Sequence, residues 1–269
     1  MENGVCHTLV ISDLHLGSET SRAADALRAL KSIQFRQLIL LGDIFCDLDF
    51  ARLKKDHWRF LSYIRKLSNP KRGIKVVWVE GNHDRGLSKV LSHLVGVKVY
   101  QEYIWEYAGQ RYLAIHGHQF DRFLVRNALL STIGSFIYLQ LQKVDSGRLR
   151  LVRLLDKLST AWLRLSPNVR EGALARAKAR GAHVVCCGHT HFALEAEQDG
   201  IRYYNSGSWT GARATYLTVD EQGVHIHEYT ERTHYRDTGK ERSDLAAEVV
   251  ALVGAAGLSR DAGHQSARC

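Results

Sequence analysis

The chain has 269 residues, enough for one large domain with a substantial core, and its 45% hydrophobic and 24% charged residues are those of an ordinary globular protein. Its formal charge is +9, and no apolar stretch approaches the roughly 18 residues of a membrane-spanning helix, which excludes an integral helical membrane protein. Five cysteines, an odd number without CxxC spacing, exclude a disulfide framework and a thiolate zinc site; with no signal peptide visible, the reading is a cytoplasmic protein.

In chain order, His7 to Ser12 reads as a buried strand rich in β-branched residues, and it delivers Asp13-Leu14-His15. Thr20 to Ser32 has helical spacing at Ala23, Leu27 and Leu30, behind a Thr/Ser cap. Gln37 to Leu41 is a second buried strand that stops at Gly42-Asp43. Phe50 to Leu67 reads as an amphipathic helix with Leu53, Trp58, Leu61 and Ile64 inward, ended by Asn69-Pro70. Ile74 to Val79 is the third strand and delivers Gly81-Asn82-His83-Asp84. Alternating strands and helices predict right-handed crossovers with ligands at the carboxyl ends of the strands.

Val97 to Tyr100, Tyr103 to Tyr107 and Arg111 to Ile115 are shorter strands that end on His116-Gly117-His118. A helical insertion follows, roughly Phe120 to Ala179, with breaks at Gly134, Gly147 and Pro167. From Asp121 to Arg180 twelve Lys/Arg face four acids, a net +8, which suits an anionic partner: phosphates, nucleic acid or an acidic membrane face. His183 to Cys187 is a buried strand leading to Gly188-His189-Thr190-His191, where the glycine is read as giving a sharp turn. Ala193 to Glu197, Ile201 to Asn205, Ala214 to Val219 and Val224 to Tyr229 read as hairpin strands around Asp199-Gly200 and Gln222-Gly223. Residues 233–269 read as a polar, partly disordered tail, with one short helix over Ser243 to Val253.

One histidine in a polar turn is ordinarily a surface or satisfied core residue; five such clusters, each after a strand, are not explained that way. Seven groups (Asp13, His15, Asp43, Asn82, His116, His189 and His191) exceed what one ion needs and fit two hard-to-borderline divalent cations sharing a carboxylate. Such pairs, about 3.5–4 Å apart, hold a hydroxide and offset charge in phosphoester hydrolysis. His7, His57, His93, His183, His225 and His227 match no such pattern and read as structural or exposed. Asp47 reads either as a carboxylate behind the ligands or as one at a helix start, and His118 as a residue behind the ligands.

In this order, over residues 8 to about 229, the five blocks resemble the calcineurin-like metallophosphoesterase superfamily. The resemblance implies an α/β fold, a four-layer αββα sandwich of two mixed sheets with a helical insertion, spanning residues 1–232. It implies that Asp13, His15 and His191 hold one metal, that Asn82, His116 and His189 hold a second, and that Asp43 bridges them. Manganese would be the first choice, with iron or zinc as alternatives. His83 would contact the scissile phosphate and protonate the leaving oxygen, Asp84 would orient His83, and Asn82 and His83 would bind substrate. Asn205-Ser206-Gly207-Ser208 looks like the superfamily's late structural turn. Within it, the compact size, the run His116-Gly117-His118-Gln119-Phe120-Asp121 and the insertion are most similar to UDP-2,3-diacylglucosamine pyrophosphohydrolases of lipid A synthesis. The chain departs from that subgroup at His83, where Arg is usual, and at His118, where Asp is usual. A nucleotide-lipid substrate and peripheral contact with an anionic membrane would follow. The alternatives are a nucleotide or nucleic-acid phosphodiesterase, and a metal-binding scaffold without catalysis.

Overall fold

Strands with apolar residues on both faces must be covered on both faces, and the helices supply the second cover. The computed structural model describes residues 5–47, 49–86, 96–121 and 167–230. The insertion helices expected between 122 and 166 and the Ser243 to Val253 helix lie outside these residues.

The first sheet contains β1 (Val5–Ile11), β2 (Gln34–Leu41), β3 (Lys75–Val79), β4 (Val99–Tyr100), β10 (Thr215–Asp220) and β11 (Gly223–Glu228), in the order β11-β10-β1-β2-β3-β4. β1 to β4 are parallel, whereas β10 runs antiparallel to β1 and to β11. The second sheet contains β5 (Glu102–Tyr107), β6 (Gln110–Ile115), β7 (Val184–Cys187), β8 (Leu194–Gln198) and β9 (Ile201–Asn205), in the order β5-β6-β7-β9-β8. There the β6-β7-β9 centre is parallel and both edges are antiparallel.

The period-2 alternation of side chains assigns the layers. Val10, Ile39, Leu41, Val77 and Val79 of the first sheet share one buried cluster with Tyr112, Ala114, Val184 and Cys186 of the second. The intervening residues face outward: Leu9, Ile11, Leu38, Leu40 and Trp78 pack under α1 (Ala23–Ser32) and α2 (Lys55–Leu67). Leu113, Ile115, Val185 and Cys187 pack under α3 (Asn168–Ala179) through Val169, Ala173, Leu174 and Ala177. The result is the four-layer αββα sandwich. No helix of the described residues is long and apolar enough to cross a membrane.

Three local readings change. Trp58, expected inside, is 49% exposed, because the buried stripe of α2 runs through His57, Phe60, Leu61, Ile64 and Leu67. The first turn expected of that helix is a separate 3-10 turn, Phe50–Arg52, capped by Asp49. The third change concerns α3, which the sequence reading assigned to the basic insertion. It is a layer of the sandwich, and two of its arginines are committed there. Arg176 donates twice to Glu102 (2.8 and 3.1 Å), and Arg180 pairs with the same carboxylate.

Candidate metal centre

Every expected ligand leaves the carboxyl end of a strand. Asp13 and His15 follow β1, Asp43 follows β2, Asn82 and His83 follow β3, His116 follows β6, and His189 and His191 follow β7. Backbone hydrogen bonds continue the ladders past the strand ends: Asp13 N donates to Gly42 O (3.0 Å), His15 N to Asp43 O (3.0 Å) and Gly188 N to His116 O (3.1 Å). Trp209 N donates to Asp13 O (3.1 Å) from the turn after β9. The centre therefore joins the ends of both sheets.

The glycines of the motifs make room for this convergence. A Cβ on Gly42 would lie 2.4 Å from His116 Cδ2, and one on Gly81 would lie 2.2 Å from Asp43 N and Oδ1. Gly188 departs from the sharp turn expected of it. Its φ is not positive, and its role is close approach, since a Cβ would stand 2.8 Å from Asp13 Oδ2 and 2.9 Å from Ser12 Oγ. The left-handed conformations fall instead on the ligands. Among the described residues seven non-glycine positions have positive φ, and five of them are Asp13, His15, Asp43, His189 and His191. Backbone strain concentrated in this way marks functional sites.

The side chains gather into two clusters, Asp13-His15-His191 and Asp43-His116-His189, in each of which the candidate donor atoms lie within 4.8 Å of one another. In the first, His191 Nε2 is 3.2 Å from Asp13 Oδ1 and 3.2 Å from His15 Nε2. Asp13 also reaches the second cluster: its Oδ1 is 3.4 Å from His116 Nε2, and its Oδ2 accepts from His189 N at 3.1 Å. His116 Nε2 lies 3.7 Å from Asp43 Oδ2, and Asp43 Oδ1 accepts from His83 N at 2.9 Å.

Burial and mutual charge set the protonation of these groups. Burial disfavours charge on both carboxylates, but the imidazoles overcome it. His191 and His116 hold Asp13 well below the usual carboxylate range, and His116, His83 and His15 lower Asp43 to about 2. Burial likewise opposes a charged His116, yet Asp43 and Asp13 push it up to about 9. Burial, with His83 and His191 nearby, lowers His15 to about 3. His189 is lowered by burial in spite of a carboxylate partner.

The residues behind the ligands were only partly foreseen. His116 Nδ1 is 3.2 Å from His118 Nδ1, which puts His118 behind a ligand as read. Asp121, not singled out as a site residue, is 1% exposed and places Oδ2 3.1 Å from His189 Nε2. Its signal was its place at the end of the His116-to-Asp121 run. The role read for Asp84 is corrected. Its carboxylate accepts from Phe45 N (2.9 Å), Ile44 N (3.2 Å), Gly81 N (3.4 Å) and Trp78 Nε1 (3.4 Å), so it braces the loops and is not itself the hydrogen-bond partner of His83. Burial and the nearby Asp43 charge push Asp84 up to about 6. His83 is oriented by a group with no sequence signature, the carbonyl oxygen of Cys46, 2.7 Å from Nδ1. Asp47 is neither a carboxylate behind the ligands nor a helix cap; it pairs with Arg52 and accepts from Asp49 N at 2.9 Å. The Asn205 turn is a brace, with Asn205 Nδ2 donating to Gly188 O at 2.7 Å. His57 is buried, and its Nδ1 accepts from Gly17 N and Lys54 N.

The donor set fits a divalent cation. Among the described residues, oxygen and imidazole donors converge without thiolates, and Asn82 Oδ1 is buried with no hydrogen-bond partner, which suits a cation ligand. A family profile described as "Calcineurin-like phosphoesterase superfamily domain" matches residues 7–232. The chain belongs to that superfamily. Calcineurin-like phosphoesterases hydrolyse phosphoester bonds, and with these clusters this chain is a metal-dependent hydrolase of that kind. Among curated proteins none matches the chain. Solved structures similar to it include YfcE, a phosphoesterase from E. coli (18% identity, 86% of this chain and 98% of that one, TM-score 0.46). They also include Vps29 from Chaetomium thermophilum (14% identity, 85% and 94%, TM-score 0.49). A third is a predicted phosphoesterase from Streptococcus pneumoniae TIGR4 (16% identity, 87% and 94%, TM-score 0.43).

Proposed function

We propose that this phosphoesterase is dinuclear and hydrolyses a phosphodiester or pyrophosphate bond. Asp13, His15 and His191 hold one divalent ion, Asn82, His116 and His189 hold the other, and Asp43 serves both. The observation that carries this reading is the pairing of two three-residue clusters with the unpartnered Asn82 Oδ1. Manganese suits the donor set best, ahead of iron and zinc. Bound ions supply water activation and charge neutralisation at the phosphoryl group.

The remaining chemistry falls to side chains of this chain. A carbonyl oxygen only accepts, so His83 Nδ1 carries the proton that binds Cys46 O. Nε2 is then the nitrogen left to face substrate; with both nitrogens protonated, the imidazolium passes its Nε2 proton to the leaving oxygen and keeps the one bound to Cys46 O. His83 N is held by Asp43 Oδ1, so the group that handles the leaving oxygen is fixed to the shared carboxylate. Asp84 keeps the Ile44, Phe45 and Gly81 backbone in place and so holds Cys46 O where His83 needs it.

For the substrate we propose UDP-2,3-diacylglucosamine, cleaved to UMP and a lipid phosphate by a cytoplasmic enzyme that touches the inner membrane face. Support comes from the sequence resemblance at His116 to Asp121 and from the eight Lys/Arg against two acids, a net +6, between residues 122 and 166, which suits a diphosphate on an anionic surface. The test is mass spectrometry of products after incubating manganese-loaded protein with this substrate, with His116→Ala as the blank. UMP and lipid phosphate formed only by wild type are expected. Hydrolysis of a generic aryl phosphodiester without turnover of the nucleotide lipid would overturn the substrate and keep the centre. Steeply salt-dependent cleavage of nucleic acid would replace the substrate by a polynucleotide.

A further inference from the structure

A histidine that ligates a metal through one nitrogen needs the other nitrogen fixed, because the ring otherwise samples two tautomers and two flips. In the second cluster both outer nitrogens are met from a single short turn. Gly117 (φ +108°) swings the chain into the 3-10 turn His118–Phe120, and Asp121 N closes it on His118 O at 3.2 Å. That turn is wedged against α3. A Cβ on Gly172 would stand 2.3 Å from Phe120 Cγ, and one on Gly117 would stand 3.0 Å from Val169 Cγ1. The wedge fixes where the Asp121 carboxylate lies, buried and 3.1 Å from His189 Nε2.

We propose that Asp121 is a positioning residue for the metal centre, holding the proton of His189 on Nε2 so that Nδ1 is the nitrogen presented to the cation. An ionised carboxylate can only accept, so the short contact assigns the proton to His189. His189 is also tied at its backbone N to Asp13 Oδ2 (3.1 Å), so its ring is held at both ends. His118 serves His116 in the same way through the 3.2 Å contact between the Nδ1 atoms, leaving His116 Nε2 facing Asp13 and Asp43. One turn of the chain thus sets the imidazoles of the whole second cluster.

This role rests on the dinuclear reading, and the test separates the two. Manganese titration of the full chain, followed by calorimetry and electron paramagnetic resonance, is expected to show two ions in wild type with spin coupling between them. Asp121→Asn should weaken one ion by about 10–100-fold and remove the coupling at low manganese, while the other ion binds as in wild type. Asp121→Glu should recover part of that loss. In wild type stripped of metal, ring nitrogen–proton correlations should show His189 protonated on Nε2, a readout that needs no variant to fold. Wild type that takes up no manganese overturns the centre and this role with it. Wild type that binds two ions, matched by Asp121→Asn, overturns Asp121 alone, as does a His189 proton found on Nδ1.

Discussion

The two clusters differ in access and in charge, and only β7 contributes to both. In the first, the His191 side chain keeps 15% of its surface exposed; in the second, His116 keeps none and His189 keeps 5%. His15 of the first is driven down to about 3 by burial and by the neighbouring His83 and His191, so it meets a cation as a free base. His116 of the second, facing two carboxylates that outweigh its burial, is held up at about 9 and must give up a proton before it can ligate. The lesson is that, on the dinuclear proposal, one ion would stand nearer solvent beside a neutral His15, and the other would sit deeper behind the His116 proton.

The largest effect expected is loss of the group both clusters share. Asp43→Asn should drop turnover to that of chelated protein and lower metal content, read by elemental analysis; retention of two ions would break the picture of a common carboxylate. His83→Ala should cost about 10²–10⁴-fold in turnover while metal content stays near wild type, which separates proton transfer from metal holding. The pH dependence of metal uptake sharpens the contrast in charge. Loading of the second cluster displaces the His116 proton, so its apparent affinity should rise about tenfold per pH unit from 7 and level off near 9. His15, already neutral at pH 7, should release no proton on loading of the first cluster, so proton release measured by calorimetry should change in His116→Ala and stay as in wild type in His15→Ala; the reverse would refute the distinction. The smallest effect concerns exchange. A chelator chase should release the ions in two phases, the slow phase missing from His116→Ala and the fast one from His191→Ala, and a single wild-type phase would end the comparison.

Much of this was legible in the sequence because each block combines a strand signal with ligand types. Val184 to Cys187 and Leu38 to Leu41 announce buried strands by unbroken apolar runs, and the hairpin turn at Asp199-Gly200 appears where its dipeptide stands; the next turn falls on Glu221-Gln222, one residue before the expected pair, with Gly223 opening β11 opposite Asp220. Trp58 was misplaced because the inward position one turn before Leu61 is filled by His57, whose polar type hid it, while the apolar Trp58 lies one residue round the helix. The basic character of Asp121 to Arg180 concealed that α3 is a sandwich layer: half of its buried stripe is alanine, a weak apolar signal among arginines. The partners behind the ligands were the least legible. Cys46 acts through a carbonyl that every residue has, and Asp84 binds backbone N–H groups that leave no mark on composition.

The left-handed backbone at Asp13, His15, Asp43, His189 and His191 has a consequence for the life of the protein in the cell. Conformations of this kind cost on the order of 1–3 kcal/mol each and persist only where something offsets them. On the proposed ligand assignment, bound cations would supply part of that offset, so a molecule that leaves the ribosome during metal starvation would be a weaker fold as well as an idle enzyme. Its turnover by proteases, followed by pulse-chase with and without a chelator in the medium, should quicken when metal is withheld. Metal supply would then govern the abundance of this protein as well as its rate.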